Sequence, residues 1–245
     1  MAEKVKKGDF IEIDYDGKLP DGTIFDSTDA KKLDHEEHEG HEHGPAIICI
    51  GEHQVLAGLD HFLDGKDTGK HYSITLKPEE AFGKKDAKLI KLVPLDDFHR
   101  QKIEPRPGLT VSFDQEMGTV MRVSGGRVMV NFNHPLAGRD VTYEVKINKK
   151  IEDKGVQLQS YLKFAMNLPG IESKVENDKA EITLPITFPP QMQEEFVKKL
   201  KEIIRVTEVS FKVKIPAAAP ETKTGEEKSV NKSEKKSKEK MEPVA

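Results

Sequence analysis

The chain has no tryptophan and one cysteine among 245 residues, and only 36% of it is hydrophobic. A single cysteine, Cys49, excludes an internal disulfide framework. It lies in the apolar run AIICI (46–50), where a thiol behaves as a small hydrophobe and lacks the polar setting that lowers a thiol pKa for nucleophilic work. No run of 18 apolar residues occurs, so no membrane-spanning helix is expected, and the opening MAEKVKKGDF lacks the apolar segment of a secretion signal. These absences predict a cytoplasmic protein without a membrane partner. An excess of positive charge is missing too: 39 basic residues face 43 acidic ones, which argues against nucleic acid as a partner. From Pro216 to Ala245 the chain holds seven Lys and six Glu and almost no large apolar side chain. Such a tail has nothing to bury and is expected to be disordered.

What remains is long enough for two or three compact domains. In GDFIEIDYD (8–16), Ile11, Ile13 and Tyr15 alternate as on a half-buried strand, followed by the turn residues LPDG (19–22) and a second short strand, TIFDST. Ala46 to Ile50 reads as an apolar strand, Val55, Leu59 and Phe62 as a short amphipathic helix, and Tyr72, Ile74 and Leu76 as a further strand. Between about Lys85 and His134 the pattern becomes that of a small all-β unit. There Met117, Thr119, Met121 and Val123 alternate, then Val128, Val130 and Phe132, on either side of a Gly125-Gly126 hairpin signal. VTYEVKI (141–147) is another strand. Residues 155–215 order as helix, strand, strand, helix, strand: Leu158, Tyr161 and Leu162 mark one helix, and Met192, Phe196, Leu200 and Ile203 a second that opens at Pro189-Pro190.

The segment DHEEHEGHEH (34–43) gathers His35, His38, His41 and His43 at spacings of three, three and two, suited to Zn, Ni or Cu through imidazole nitrogen. Catalytic zinc wants rigid ligands with an ordered second shell, and a segment with Gly40 and Gly44 offers neither. Interleaved acids also suit a plain solvated loop. The two readings stand side by side: a possible site for Zn, Ni or Cu that is not catalytic, or a charged rim.

Four blocks resemble the FKBP-type peptidyl-prolyl isomerases: GDFIEIDYDGKLPDGTIFDST (8–28), ICIGEHQVLAGLDHFLDG (49–66), TLKPEEAFG (75–83) and VTYEVKI (141–147). The stretch 85–134 resembles the inserted-in-flap (IF) domain of SlyD-type and archaeal members, with NHPLAG (133–138) as the re-entry, and the domain order resembles the long archaeal FKBPs. The resemblance implies an α+β fold: an antiparallel sheet wrapped on a short helix (1–84 and 135–150), an inserted small β domain (85–134), a C-terminal α/β domain (151–215) that dimerises or binds clients, and the charged tail (216–245). It implies a prolyl pocket lined by Tyr15, Phe25, Asp26, Ile48, Val55, Leu56, Leu59, Phe82 and Tyr143, no required cofactor, and unfolded or partly folded polypeptides with X-Pro bonds as substrates. Leu59 stands where many members have Trp and Phe82 where they have Tyr, which implies a wider pocket and weak macrolide binding. In the insert, Met117, Val120, Met121, Val128, Met129 and Val130 are the candidate chaperone surface, since Met-rich apolar faces adapt to many partners. Core packing is the competing role for the same residues. Homodimerisation through the C-terminal domain is expected. The alternative functions are a non-catalytic holdase or a metal-responsive metallochaperone using the His-rich loop.

Overall fold

The computed structural model describes residues 3–33, 44–113, 116–166, 168, 170–186 and 189–214; the charged tail from Pro216 lies outside them. The first sheet consists of β1 (Phe10–Lys18), β2 (Ile24–Ser27), β3 (Ala46–Cys49), β4 (His71–Leu76) and β9 (Val141–Lys150). Its order is β2-β1-β9-β4 with β3 also on β1, and every pairing is antiparallel. Period-two alternation turns Ile11 and Ile13 of β1 and Val141, Tyr143, Val145 and Ile147 of β9 into one core. The short helix α1 (Ala57–Leu63) lays Leu59 and Leu63, one turn apart, onto the same core. Each such aliphatic side chain contributes roughly 1.5–3 kcal/mol of burial free energy.

The insertion forms its own four-stranded sheet from β5 (Ile90–Pro94), β6 (Thr110–Phe113), β7 (Glu116–Ser124) and β8 (Arg127–Asn131), in the order β5-β8-β7-β6. Gly125 and Gly126 have φ of 57° and 75°, the left-handed pair that a tight hairpin between β7 and β8 needs. The expectation of an all-β unit is corrected by α2 (Leu95–Arg100), which closes the open face of the sheet with Phe98. Phe98 is fully buried and meets Phe113 edge-on at 4.8 Å. A six-residue helix with one buried residue is too short to leave a periodic signature.

The C-terminal residues run α3 (Lys154–Met166), β10 (Glu172–Glu176), β11 (Lys179–Leu184), α4 (Pro190–Ile204) and β12 (Glu208–Val213). The order of elements matches the sequence expectation. β10 and β11 form an antiparallel hairpin, while β11 and β12 are parallel with α4 as the crossover. Leu158 and Leu162 of α3 and Leu200 and Ile204 of α4 are buried on this sheet, whereas Met192, expected on the same stripe, is 55% exposed. This core is not private to the C-terminal elements, because Phe10 of β1 and Cys49 of β3 are buried in it. β3 therefore faces two ways: Ile48 enters the first core and Cys49 the second.

Burial between the two cores pushes the Cys49 thiol up from 9.0 to about 12, with the carboxylates of Glu52 and Asp60 adding to the effect. The fold thus favours the neutral thiol; that stabilisation is complete below about pH 9 and is lost as pH rises toward 12. At pH 8 the thiolate fraction alone should slow reaction with a disulfide reagent by about a thousandfold relative to the urea-unfolded chain. Equal rates in the two states would show that Cys49 is not sealed at this junction.

Candidate active site

The residues expected to line a pocket converge on one end of the first sheet. Gly17 of β1 lies opposite Asp26 of β2 on one side and Tyr143 of β9 on the other. A Cβ at Gly17 would sit 2.8 Å from Phe25 Cζ and 3.2 Å from Tyr143 Cε1, so the missing side chain lets the two rings close over the strand. Phe25 meets Tyr143 edge-on at 5.9 Å and Phe82 edge-on at 5.7 Å, and Tyr15 tilts against Tyr143 at 5.8 Å. Such edge contacts suit the ring quadrupoles. Val55 and Leu56 pack against the same core as half-buried side chains, and Leu59 lies beneath them at 1% exposure.

The polar element of this aromatic group is a carboxylate with two phenols. Tyr15 Oη donates to Asp26 Oδ1 and Tyr143 Oη donates to Asp26 Oδ2, each at 3.5 Å, the long limit for a hydrogen bond. Both phenols are pushed well above their ordinary value, first by burial and then by the negative charge of Asp26. They keep their protons throughout the neutral range. Neither is equipped to act as a general base there.

Two groups that sequence reasoning missed hold this arrangement. Asp60, 3% exposed on α1, accepts the backbone N–H groups of Gly51 (2.9 Å) and His53 (3.1 Å), fixing the turn that leads to Val55 and Leu56. His53 takes a left-handed φ of 53°, which needs such anchoring. An acid on the apolar side of a short helix was the available signal. His134 stacks parallel to Phe82 at 4.6 Å and accepts the Leu136 N–H on Nδ1. Beside it Asn133, 7% exposed, exchanges hydrogen bonds with the backbone N–H (2.7 Å) and C=O (3.0 Å) of Asp86, and Gly138 N–H donates to Gly83 O. These bonds bring the outgoing and returning chains of the insertion together next to Phe82.

Two sequence assignments need correction. Ile48 packs fully buried in the sheet core opposite Ile11, and Ala46, two residues earlier on the same face of β3, is the half-buried residue there. Val120, Val128 and Val130 do not form an exposed chaperone surface: with exposures of 1%, 0% and 0% they are the core beneath α2. Met117 (64%) and Met121 (48%) are exposed and Met129 is half-buried. Leu92 (57%) and Ile90 (37%) of β5 are exposed as well, and strand register sets Leu92 beside Met129. His35, His38, His41 and His43 lie outside the described residues.

Residues 1–97 match the family model for FKBP-type peptidyl-prolyl cis-trans isomerases, and residues 91–136 match the model for the FKBP26 IF domain. A short-type peptidyl-prolyl cis-trans isomerase of Methanocaldococcus jannaschii is 27% identical over 151 residues, 60% of this chain and 94% of that protein. An FKBP-type 16 kDa isomerase of Escherichia coli is 29% identical over 152 residues (60% and 94%), and the SlyD isomerase of Vibrio cholerae 28% over 148 (59% and 67%). Residues 1–136 thus carry an FKBP-type peptidyl-prolyl cis-trans isomerase domain and a SlyD-like IF domain. Neither family model extends past residue 136.

Gly17→Ala should force Phe25 and Tyr143 apart, since overpacking costs about 1–3 kcal/mol. Both the urea midpoint and kcat/KM on a Phe-Pro peptide are expected to fall, the latter by about tenfold. Unchanged values for both would show that the rings do not depend on this close approach.

Proposed function

We propose that Tyr15, Phe25, Asp26, Ala46, Val55, Leu56, Leu59, Phe82 and Tyr143 form the prolyl pocket of this isomerase, and that rotation is driven by an apolar, protonically inert enclosure. An X-Pro bond is held planar by resonance with a barrier of roughly 18–20 kcal/mol. Rotation breaks no bond to a substrate atom, so neither nucleophile nor cofactor is required. The planar amide is more polar than the twisted one, and a pocket walled by Phe25, Phe82 and Tyr143 favours the twisted state over water. Every 1.4 kcal/mol or so gained in this way is tenfold in rate. The observation that carries this reading is the pairing of Asp26 with two phenols that retain their protons. A carboxylate held there orients the tyrosines and can accept a substrate backbone N–H, with no proton transferred.

The substrates in this reading are unfolded or partly folded chains with X-Pro bonds. The exposed Ile90, Leu92, Met117 and Met121, with Met129, are the client-holding face of the IF domain. Exposed Phe164, Ile186 and Met192 support homodimerisation through the C-terminal elements. For His35, His38, His41 and His43 the reading is binding of Zn, Ni or Cu that takes no part in the reaction.

A protease-coupled assay on a Phe-Pro peptide tests the proposal. Wild type should be active with kcat/KM flat from about pH 7 to about pH 9, because neither raised phenol titrates there, and Asp26→Ala should lower kcat/KM on the order of tenfold. Activity equal to buffer, or an Asp26→Ala variant equal to wild type, would refute the pocket assignment. In sedimentation, wild type should run as a dimer and a chain ending at Lys150 as a monomer; a monomeric wild type would remove the dimer reading.

A further inference from the structure

The pocket segment 51–56 is gripped from two sides. Within the isomerase domain Asp60 takes the N–H groups of Gly51 and His53, and the Cys49 N–H donates to Gln54 Oε1 at 2.6 Å. The second grip comes from the C-terminal elements: Lys199 of α4 reaches Glu52 at 2.8 Å, and the Glu52 side chain is only 17% exposed. The approach is backed by packing, since Cys49, just before the segment, is buried among Leu158, Tyr161 and Leu162 of α3. Glu52 raises the pKa of Lys199 through their hydrogen bond, in keeping with a persistent charged contact. Three residues beyond Glu52 the segment delivers Val55 and Leu56 to the first core.

We propose that Lys199 is a positioning residue of the isomerase site: from α4 it holds Glu52, and through Glu52 the segment that sets the Val55 and Leu56 wall of the pocket. The inference rests on the prolyl-pocket reading above. It gives the C-terminal elements a part in isomerase specificity distinct from assembly or client capture. Lys199 touches no substrate atom, so its effect falls on how well the proline ring is seated, which is to say on KM. Half-exposed ion pairs are worth small factors, so the expected change is about two- to fivefold.

The test uses the full chain and the steady-state isomerase assay on one Phe-Pro peptide. Lys199→Ala and Glu52→Ala should each raise KM about two- to fivefold with kcat near wild type and an unchanged urea midpoint. The double variant should be no worse than either single one, Lys199→Arg should restore KM, and the exchanged pair Glu52→Lys with Lys199→Glu should recover most of it. A wild-type KM in Lys199→Ala would overturn the proposal, as would effects of the two alanine variants that simply add. A drop in the urea midpoint with KM unmoved would assign the pair to stability and also overturn it. A wild type without isomerase activity would instead refute the pocket reading, and this inference with it.

Discussion

The antiparallel pairing of β1 with β9 is the constraint on which the rest depends. It joins Ile11 to Lys150 at one end and Lys18 to Thr142 at the other, across an intervening chain that makes three further strands of the sheet, a helix and a whole inserted domain. Closing so long a loop costs entropy that grows only slowly with length, and the pairing is repaid by the interior faces of both strands. The register matters as much as the contact. It sets Gly17 against Tyr143, and with β2 on the other edge of β1 it sets Asp26 beside the same glycine. A slip of one residue would turn Tyr15 and Tyr143 away from Asp26 and Phe25.

The same sheet serves a second purpose through β3. Its even-numbered residues face the isomerase core and its odd-numbered residues the C-terminal core, so four residues connect two hydrophobic interiors. Packed cores transmit small shifts because they have little free volume to absorb them. The segment after β3, which brings Val55 and Leu56 to the first core, therefore starts from a strand that both interiors hold. The insertion leaves and returns beside Phe82, where the Asn133–Asp86 bonds fix the crossing of its two connecting chains.

Much of this was legible in the sequence. Strand alternation, the Gly125-Gly126 hairpin and the order of the last five elements all follow from periodicity and turn chemistry. Alternation fixes parity, though, and not depth: Ala46 and Ile48 share a face, and only three-dimensional packing decides that Ile48 is sealed while Ala46 is half-open. Likewise the run 117–130 holds two faces, and the pattern does not say which is sealed until α2 covers the valines and leaves Met117 and Met121 outside. Asp60 and His134 were missed for another reason. Their roles arise from contacts across turns, with backbone N–H groups in one case and an aromatic face in the other: an acid on the apolar side of a short helix marks Asp60 without showing what it holds, and His134 has no residue-type signature.

The arrangement departs from acid–base enzymes in what it does with its titratable groups. Burial and a neighbouring carboxylate hold both phenols neutral, so in the proposed mechanism the site keeps its dipoles fixed while a bound prolyl amide turns. Activity should then follow aromatic packing and loop placement more than proton availability. The most direct measurement is the cis–trans exchange rate of a Phe-Pro peptide, read by NMR with the full chain present in catalytic amount, in light and in heavy water. Exchange should be accelerated with a solvent isotope ratio near one; no acceleration, or a ratio of about two or more from a proton in flight, would contradict the account.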